Sequence, residues 1–320
     1  MKERIIIDTD PGVDDAVAIW LALASPELEV LGVTTVAGNV SLHDVCRNAA
    51  TIIANSGRQA VTLCAGAGGP VSGQQRFGKY AHIGSFAALL EEEGEYPVSD
   101  EHAIHFIVRQ ACEAARQQRP ITLCALGPLT NIALALNFSP EVAKGIKQIV
   151  MMGGAFSAMG HRTPWAEFNF YADPHAASRV FNSGIPLIMM PLEMTFQALL
   201  TNKHLEALAE NAGKPGRAIQ RLFSAFDRTD PQRFMREGGP VHDATVIAWL
   251  LQPELFQGNH VTVGIVTTGE TAGYCWADFY HKLKQPANAM VMRKIDEHGF
   301  HELLLKVLSF YGTNLKAGNH

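Results

Sequence analysis

The amino-acid sequence predicts an α/β protein: a mostly parallel, open, Rossmann-like sheet flanked by helices. Apolar, β-rich runs alternate with helical patterns along most of the chain, as they do where helices cover a parallel sheet. Runs such as Ile149–Met152 and Pro186–Met190 are continuously apolar, which suits strands buried on both faces. Over 320 residues there is no linker rich in Pro, Gly or Ser, no repeat and no low-complexity segment, so a single domain spanning residues 1–320 is the economical reading.

In chain order, Ile5, Ile6 and Ile7 carry a strand over Arg4–Asp8, and a helix over Asp14–Ala24 follows with two acidic residues in its first turn. Strands are then expected at Leu28–Val36, Ala60–Ala65, Ile121–Leu126, Ile146–Met152, Ile185–Leu192 and Val261–Thr267. Helical patterns fall at Leu42–Asn55, Glu101–Gln117, Leu129–Asn137, Pro174–Asn182 and His242–Leu251, the last of these ahead of the final strand. Two insertions placed after strands are less regular, Gly66–Glu95 and Ser157–Phe170. A third segment, around residues 212–240, mixes Arg, Phe and Gly and reads as a mobile lid.

A net charge of −5 and a pI near 6.2, with no Lys/Arg cluster, exclude non-specific nucleic-acid and membrane partners and leave a small-molecule substrate. The five cysteines are widely spaced with no CxxC pair, as buried thiols in a reducing compartment would be. There is no signal-peptide core before Asp8 and no apolar run of the ~20 residues that a bilayer requires, so the cytoplasm is expected.

The chemistry concentrates behind the first strand. DTDPGVDD sets four carboxylates, Asp8, Asp10, Asp14 and Asp15, within eight residues, while the nearest Lys and Arg precede the strand. Such carboxylates repel one another unless a cation sits among them, and Ca²⁺ and Mg²⁺ both prefer oxygen ligands. The plainer reading makes Asp14 and Asp15 helix caps, which accounts for individual residues but not for all four. In an open α/β sheet, ligands lie beyond the carboxyl ends of the strands. Those positions here hold Asp10, Asn39, the run Leu126-Gly127-Pro128-Leu129-Thr130-Asn131, and Gly153-Gly154. His242-Asp243 opens a later helix, where Asp243 is either a cap or a distant contribution to a metal site, and His242 either a surface residue or a catalytic one. Glu167 and Asn169 share one side of an extended chain.

Taken together, DTDPGVDDAVAI, TTVAGNVS, LGPLTNIA, MGGA, TPWAEFNFYADPHAA and HDATVIAWLL resemble the inosine-uridine-type nucleoside hydrolases, in the same order from Ile5 to about Val307. The resemblance implies the nucleoside hydrolase fold and a Ca²⁺ held by Asp10, Asp15, Asp243 and the backbone carbonyl of Leu126. Ribose contacts carry over onto Asp14, Asn39, Glu167 and Asn169, with Met152 beneath the sugar, and His82 and His242 match positions near the leaving base. The family's GN before TP is Gly160-His161 here, so His161 takes the place of the 5′-hydroxyl contact; Phe223, Phe226, Arg233 and Phe234 stand where relatives often carry Tyr near the base. The reaction so implied is Ca²⁺-dependent hydrolysis of the N-glycosidic bond, giving ribose and a free purine or pyrimidine base. In it Asp10 accepts a proton from the attacking water, and His242 assists the base. The resemblance also implies a homodimer or homotetramer.

Two other readings start from the same residues. A Ca²⁺-dependent ribose or nucleoside sensor would keep the metal cage without turnover. An aspartyl phosphatase of the haloacid dehalogenase type would use Asp8-x-Asp10, although Gly12 stands where those enzymes usually carry Thr or Val.

Overall fold

The computed structural model describes residues 2–57, 61–90, 96–226 and 237–317. The strands are β1 (Glu3–Thr9), β2 (Leu28–Thr35), β3 (Thr62–Ala65), β4 (Ile121–Ala125), β5 (Ile146–Met152), β6 (Leu187–Met190), β7 (Leu199–Leu200), β8 (Gly239–Pro240), β9 (Phe256–Ile265), β10 (Cys275–Asp278) and β11 (Ala289–Ile295). Nine of them form one sheet in the order β10-β9-β11-β6-β5-β4-β1-β2-β3, while β7 and β8 pair separately. From β3 to β6 and on to β11 all pairings are parallel, and β9 runs antiparallel to both β11 and β10.

This is the doubly wound arrangement that the alternating pattern predicts, with helices on both faces. Alternation along β1 divides the core. Ile5 and Ile7 belong to one apolar cluster with α1 (Val13–Ala24) and α2 (Leu42–Asn55), and Ile6 belongs to the other with α3 (Ala103–Arg116) and α4 (Thr130–Phe138). A short α5 (Glu141–Lys144) precedes β5; α6 (Phe168–Ala172) and α7 (Pro174–Phe181) follow it, and α8 (Leu192–Thr195) follows β6. Next come α9 (Asn202–Asn211), α10 (Gly213–Ala225), α11 (Ala244–Leu251), α12 (Glu297–Leu308) and α13 (Phe310–Ala317). Every residue of α1 is buried, because α2, α10, α11 and α12 pack around it. Trp20 Nε1 donates to the Ile52 carbonyl at 2.9 Å, and the Trp20 carbonyl accepts the Tyr311 hydroxyl at 2.9 Å.

The far edge departs from expectation. The strand expected at Val261–Thr267 begins at Phe256, and β10 and β11 follow it unanticipated. Strands toward this end of the mixed sheet are solvated on part of their surface, so residues 257–260, Arg293 and Lys294 interrupt the apolar pattern that marks the central strands.

The segment expected as a mobile lid is split. Its first half is α10, whose Ala218, Ile219, Leu222 and Phe223 are buried in the core. Residues 227–236, with Arg233 and Phe234, lie outside the described residues. Among the described residues no helix is long and apolar enough to cross a membrane.

Candidate active site

The strand order reverses between β1 and β4, and the crevice beyond their carboxyl ends is where such a sheet binds ligands. Asp8, Asp10 and the Leu126 carbonyl all lie at this point.

Asp10 Oδ2 accepts the Asn39 N–H at 2.7 Å, and the Asp10 carbonyl accepts the Asn39 side-chain amide at 3.0 Å. The chain closes on this carboxylate because two neighbours are glycines. A Cβ on Gly127 would lie 2.6 Å from Asp10 Oδ1, and one on Gly38 would overlap Oδ2. Asp15 Oδ1 accepts the Thr9 hydroxyl at 2.5 Å and Oδ2 the Gly12 N–H at 2.8 Å, so Asp15 does cap α1. Asp243 stands at the start of α11 with helical backbone angles, φ −73° and ψ −31°, and its side chain makes no cap bond. Capping therefore does not explain Asp243. It joins Asp14 and Asp15 instead: one oxygen from each lies within 4.8 Å of the others, and all three residues are buried.

Burial pushes the carboxyls of Asp10, Asp15 and Asp243 upward, and the charges that add to this are those of neighbouring aspartates. A buried, all-oxygen donor set whose members repel one another fits a hard divalent cation. The geometric trio differs from the expected ligands in one member: Asp14, expected at the ribose, clusters with Asp15 and Asp243, and Asp10 adjoins them. The Leu126 carbonyl accepts the Asn169 amide at 2.7 Å and retains a second lone pair.

Asp8 is buried near the end of β1. Its donors are side chains: Oδ1 accepts Thr34 Oγ1 at 2.5 Å and Asn131 Nδ2 at 2.8 Å. Burial pushes its pKa up to about 7 against these bonds.

On the β5 side, Glu167 caps α6. Its Oε1 accepts the Asn169 N–H at 2.8 Å, and Oε2 accepts the N–H groups of Gly154 at 3.0 Å and Phe170 at 3.2 Å. Burial raises its pKa to about 7 in spite of these donors. Asn169 Nδ2 also reaches the Met152 carbonyl at 3.0 Å, which joins the ends of β4 and β5 through one side chain.

Two imidazoles meet above. His242 Nδ1 pairs with Thr195 Oγ1 at 2.7 Å; His161 Nε2 accepts the Phe168 N–H at 3.1 Å and lies 3.7 Å from Glu167 Oε1. Their ring centroids are 6.1 Å apart, edge to face. Beside the acidic floor opens a cavity whose lining includes Gly12, Asp14, Asn39, Tyr80, Phe86 and Phe226. The Phe226 ring meets Tyr80 edge-on at 5.4 Å. Phe223 is buried in α10 and does not line this cavity, and His82 is exposed on a 3-10 turn, Ala81–Ile83, between Tyr80 and Gly84.

Sequence reasoning did not single out Thr9, Asn48, Tyr80 or Thr195. Thr195 had a signal, since it follows the strand around Leu187–Met190, where ligand-facing residues belong. Asn48 had none: mid-helix, it donates to the Pro11 carbonyl at 2.9 Å and accepts the Phe86 N–H at 3.0 Å, tying the acidic turn to the 80s loop.

Fold and site together define a doubly wound α/β protein with a buried oxygen-donor centre at its switch point. The chain belongs to the inosine-uridine preferring nucleoside hydrolase family, whose model matches residues 5–302. It is 42% identical to an uncharacterized protein of Schizosaccharomyces pombe, covering 95% of this chain and 98% of that one. It is 38% identical to the pyrimidine-specific ribonucleoside hydrolase RihA of Shewanella sp. (strain ANA-3), covering 97% and 98%. Among solved structures it is similar to the purine-preferring ribonucleoside hydrolase from Gardnerella vaginalis, with a TM-score of 0.86, 28% identity, and coverage of 98% of this chain and 100% of that one. Its enzyme class is thus nucleoside hydrolase, acting on N-glycosyl bonds, in a metal-dependent family. The aspartyl phosphatase alternative falls with that assignment.

Proposed function

We propose that this chain hydrolyses the N-glycosidic bond of ribonucleosides with Ca²⁺ as cofactor, releasing ribose and a free base. The observation that carries the reading is the buried cluster of Asp14, Asp15 and Asp243 with Asp10 beside it, at the reversal of the sheet. Asp10, Asp15, Asp243 and the Leu126 carbonyl, with Asp14 at their edge, would hold the ion. When bound, it supplies charge neutralisation for these carboxylates, coordination for the ribose hydroxyls and a lower pKa for the attacking water.

Asp10 takes the proton of that water on Oδ1, since Oδ2 is engaged by the Asn39 N–H. Asp14, Asn39, Glu167 and Asn169 orient the ribose over Met152. Their oxygens favour the positive charge that grows on the sugar as the base departs, an effect worth about 2.7–4 kcal/mol per well-placed group in other enzymes. With Nδ1 occupied by Thr195, His242 donates to the departing base from Nε2. His161, anchored beside Glu167, serves the 5′-hydroxyl side. The base lies toward Tyr80, Phe86 and Phe226, whose rings stack on purines and pyrimidines alike.

Strands from both ends of the chain share the sheet, which supports a single catalytic unit. Assembly into dimers or tetramers would be read by light scattering.

A panel of inosine, adenosine, uridine and cytidine, assayed for reducing sugar before and after chelation, tests the reading. Sugar should appear from both base classes, vanish with chelator and return with Ca²⁺. Release from pyrimidine nucleosides alone would narrow the substrate to that named for the RihA relative, and tight ribose binding with no sugar released would make the protein a sensor.

A further inference from the structure

We propose that Glu193 is a positioning residue for this reaction, holding the loop that leads to His161 while Thr195, two residues on, holds His242. The proposal rests on the nucleoside hydrolase reading above. Both residues belong to the four-residue helix α8, directly after β6.

Glu193 Oε1 gathers three successive backbone N–H groups, those of Phe156 at 2.7 Å, Ala158 at 2.6 Å, and Ser157 between them. Consecutive N–H groups converging on one oxygen form a nest for negative charge, and bonds to a charged acceptor are stronger than neutral ones. The other oxygen, Oε2, is buried and has no hydrogen-bond partner among the described residues, so the hydrogen bonding of this side chain is given to the loop.

The same loop is gripped elsewhere. The Gly154 carbonyl accepts the Leu192 N–H at 3.0 Å, the Gly154 N–H donates to Glu167 Oε2 at 3.0 Å, and Cys275 Sγ donates to the Ala155 carbonyl at 3.2 Å. Residues 154–158 are thus tied down between two glutamates before the chain reaches His161, whose ring meets that of His242 edge to face. Thr195 meets His242 from the same short helix. The helix therefore sets both imidazoles against one reference, and releasing its grip on the loop lets His161 shift against His242. The donor at His242 Nε2 then loses its aim at the leaving base, while the acidic floor keeps its hold on the sugar and only the 5′-hydroxyl contact of His161 loosens with the loop.

The experiment compares wild type, Glu193→Ala and Glu193→Gln by amide hydrogen exchange and by turnover of uridine, inosine and p-nitrophenyl riboside, whose leaving group needs no proton. In Glu193→Ala the amides of 156–158 should exchange at least about tenfold faster. Its turnover of nucleosides should fall about 30-fold while p-nitrophenyl riboside changes less than about threefold. Glu193→Gln keeps a neutral acceptor, so its loss should shrink to about threefold and still be confined to nucleosides. If the alanine variant does not fold, the glutamine variant decides by that same selectivity. Unchanged exchange, or equal losses on all substrates, would overturn the proposal. If wild type releases sugar from no substrate, the nucleoside hydrolase reading fails by itself. The ring ¹⁵N shifts of His161 and His242 then decide the positioning claim, upheld if Glu193→Ala moves them and overturned if it does not.

Discussion

On the floor of the site, Asp10 and Asp15 sit at the two ends of one turn, Asp10 held by the Asn39 N–H and Asp15 by the Thr9 hydroxyl and the Gly12 N–H, with glycines at 38 and 127 closing the chain upon Asp10. On the base side, His82 stands exposed on a 3-10 turn, and Phe226 meets Tyr80 and Phe86 through ring edges. Directional hydrogen bonds fix the geometry of the floor, whereas ring contacts are non-directional enough to repack. The proposed function accordingly gives the sugar chemistry to the floor and the choice of base to the adaptable side.

The largest test of that division is the sugar itself. A 2′-deoxynucleoside lacks an oxygen that the floor is built to engage and leaves buried polar groups unpaired, so kcat/KM should fall on the order of 10⁴-fold. A loss below tenfold would mean that the floor does not read the ribose. Asp10→Ala should lower turnover on the order of 10³-fold and weaken Ca²⁺ binding in calorimetry at the same time. Loss of one without the other would separate the two roles given to this carboxylate.

His242→Ala should cost about 10²-fold on uridine or inosine and far less on p-nitrophenyl riboside, because only the natural bases need a proton. Equal losses would make His242 part of the floor. The floor also predicts a pH dependence. Burial raises the folded pKa of Asp10, Asp15 and Asp243, so the ion-free folded chain holds more protons than the unfolded chain. Its stability is then fullest below the ordinary Asp value of about 3.9 and declines as pH rises toward the raised folded values. Ca²⁺ replaces those protons, so the gain in Tm on adding it should be larger at about pH 8 than at about pH 5.5, by about 5 °C or more. A gain that shrinks with pH would remove the aspartates from the ion site. The smallest effect belongs to the rings: Phe226→Leu should shift the uridine-to-inosine ratio about threefold and leave the deoxyribose penalty intact.

Much of the floor was legible from local pattern. Ile5-Ile6-Ile7 running into DTDPGVDD marks a buried strand and an acidic turn with no basic neighbour, and the rule that strand ends carry ligands leads to Asn39, Leu126 and Gly153. The same rule applied to β6 reaches Glu193 and Thr195. The two added strands, β10 and β11, and the core packing of α10 were not legible, because partly solvated strands break the apolar run and an amphipathic helix reads alike whether it covers a site or a core.

The sequence alone determined the doubly wound class, the position of the acidic turn and the family resemblance, since these rest on periodicity and on residues adjacent in the chain. Only the tertiary structure decided that Asp243 joins Asp14 and Asp15 across more than two hundred positions, that Asp15 caps a helix and belongs to that cluster as well, and that one short helix bonds both His242 and the loop that leads to His161. Those contacts follow from the order in which the strands pair and the faces the helices bury. No local signal encodes a distance between residues so far apart along the chain.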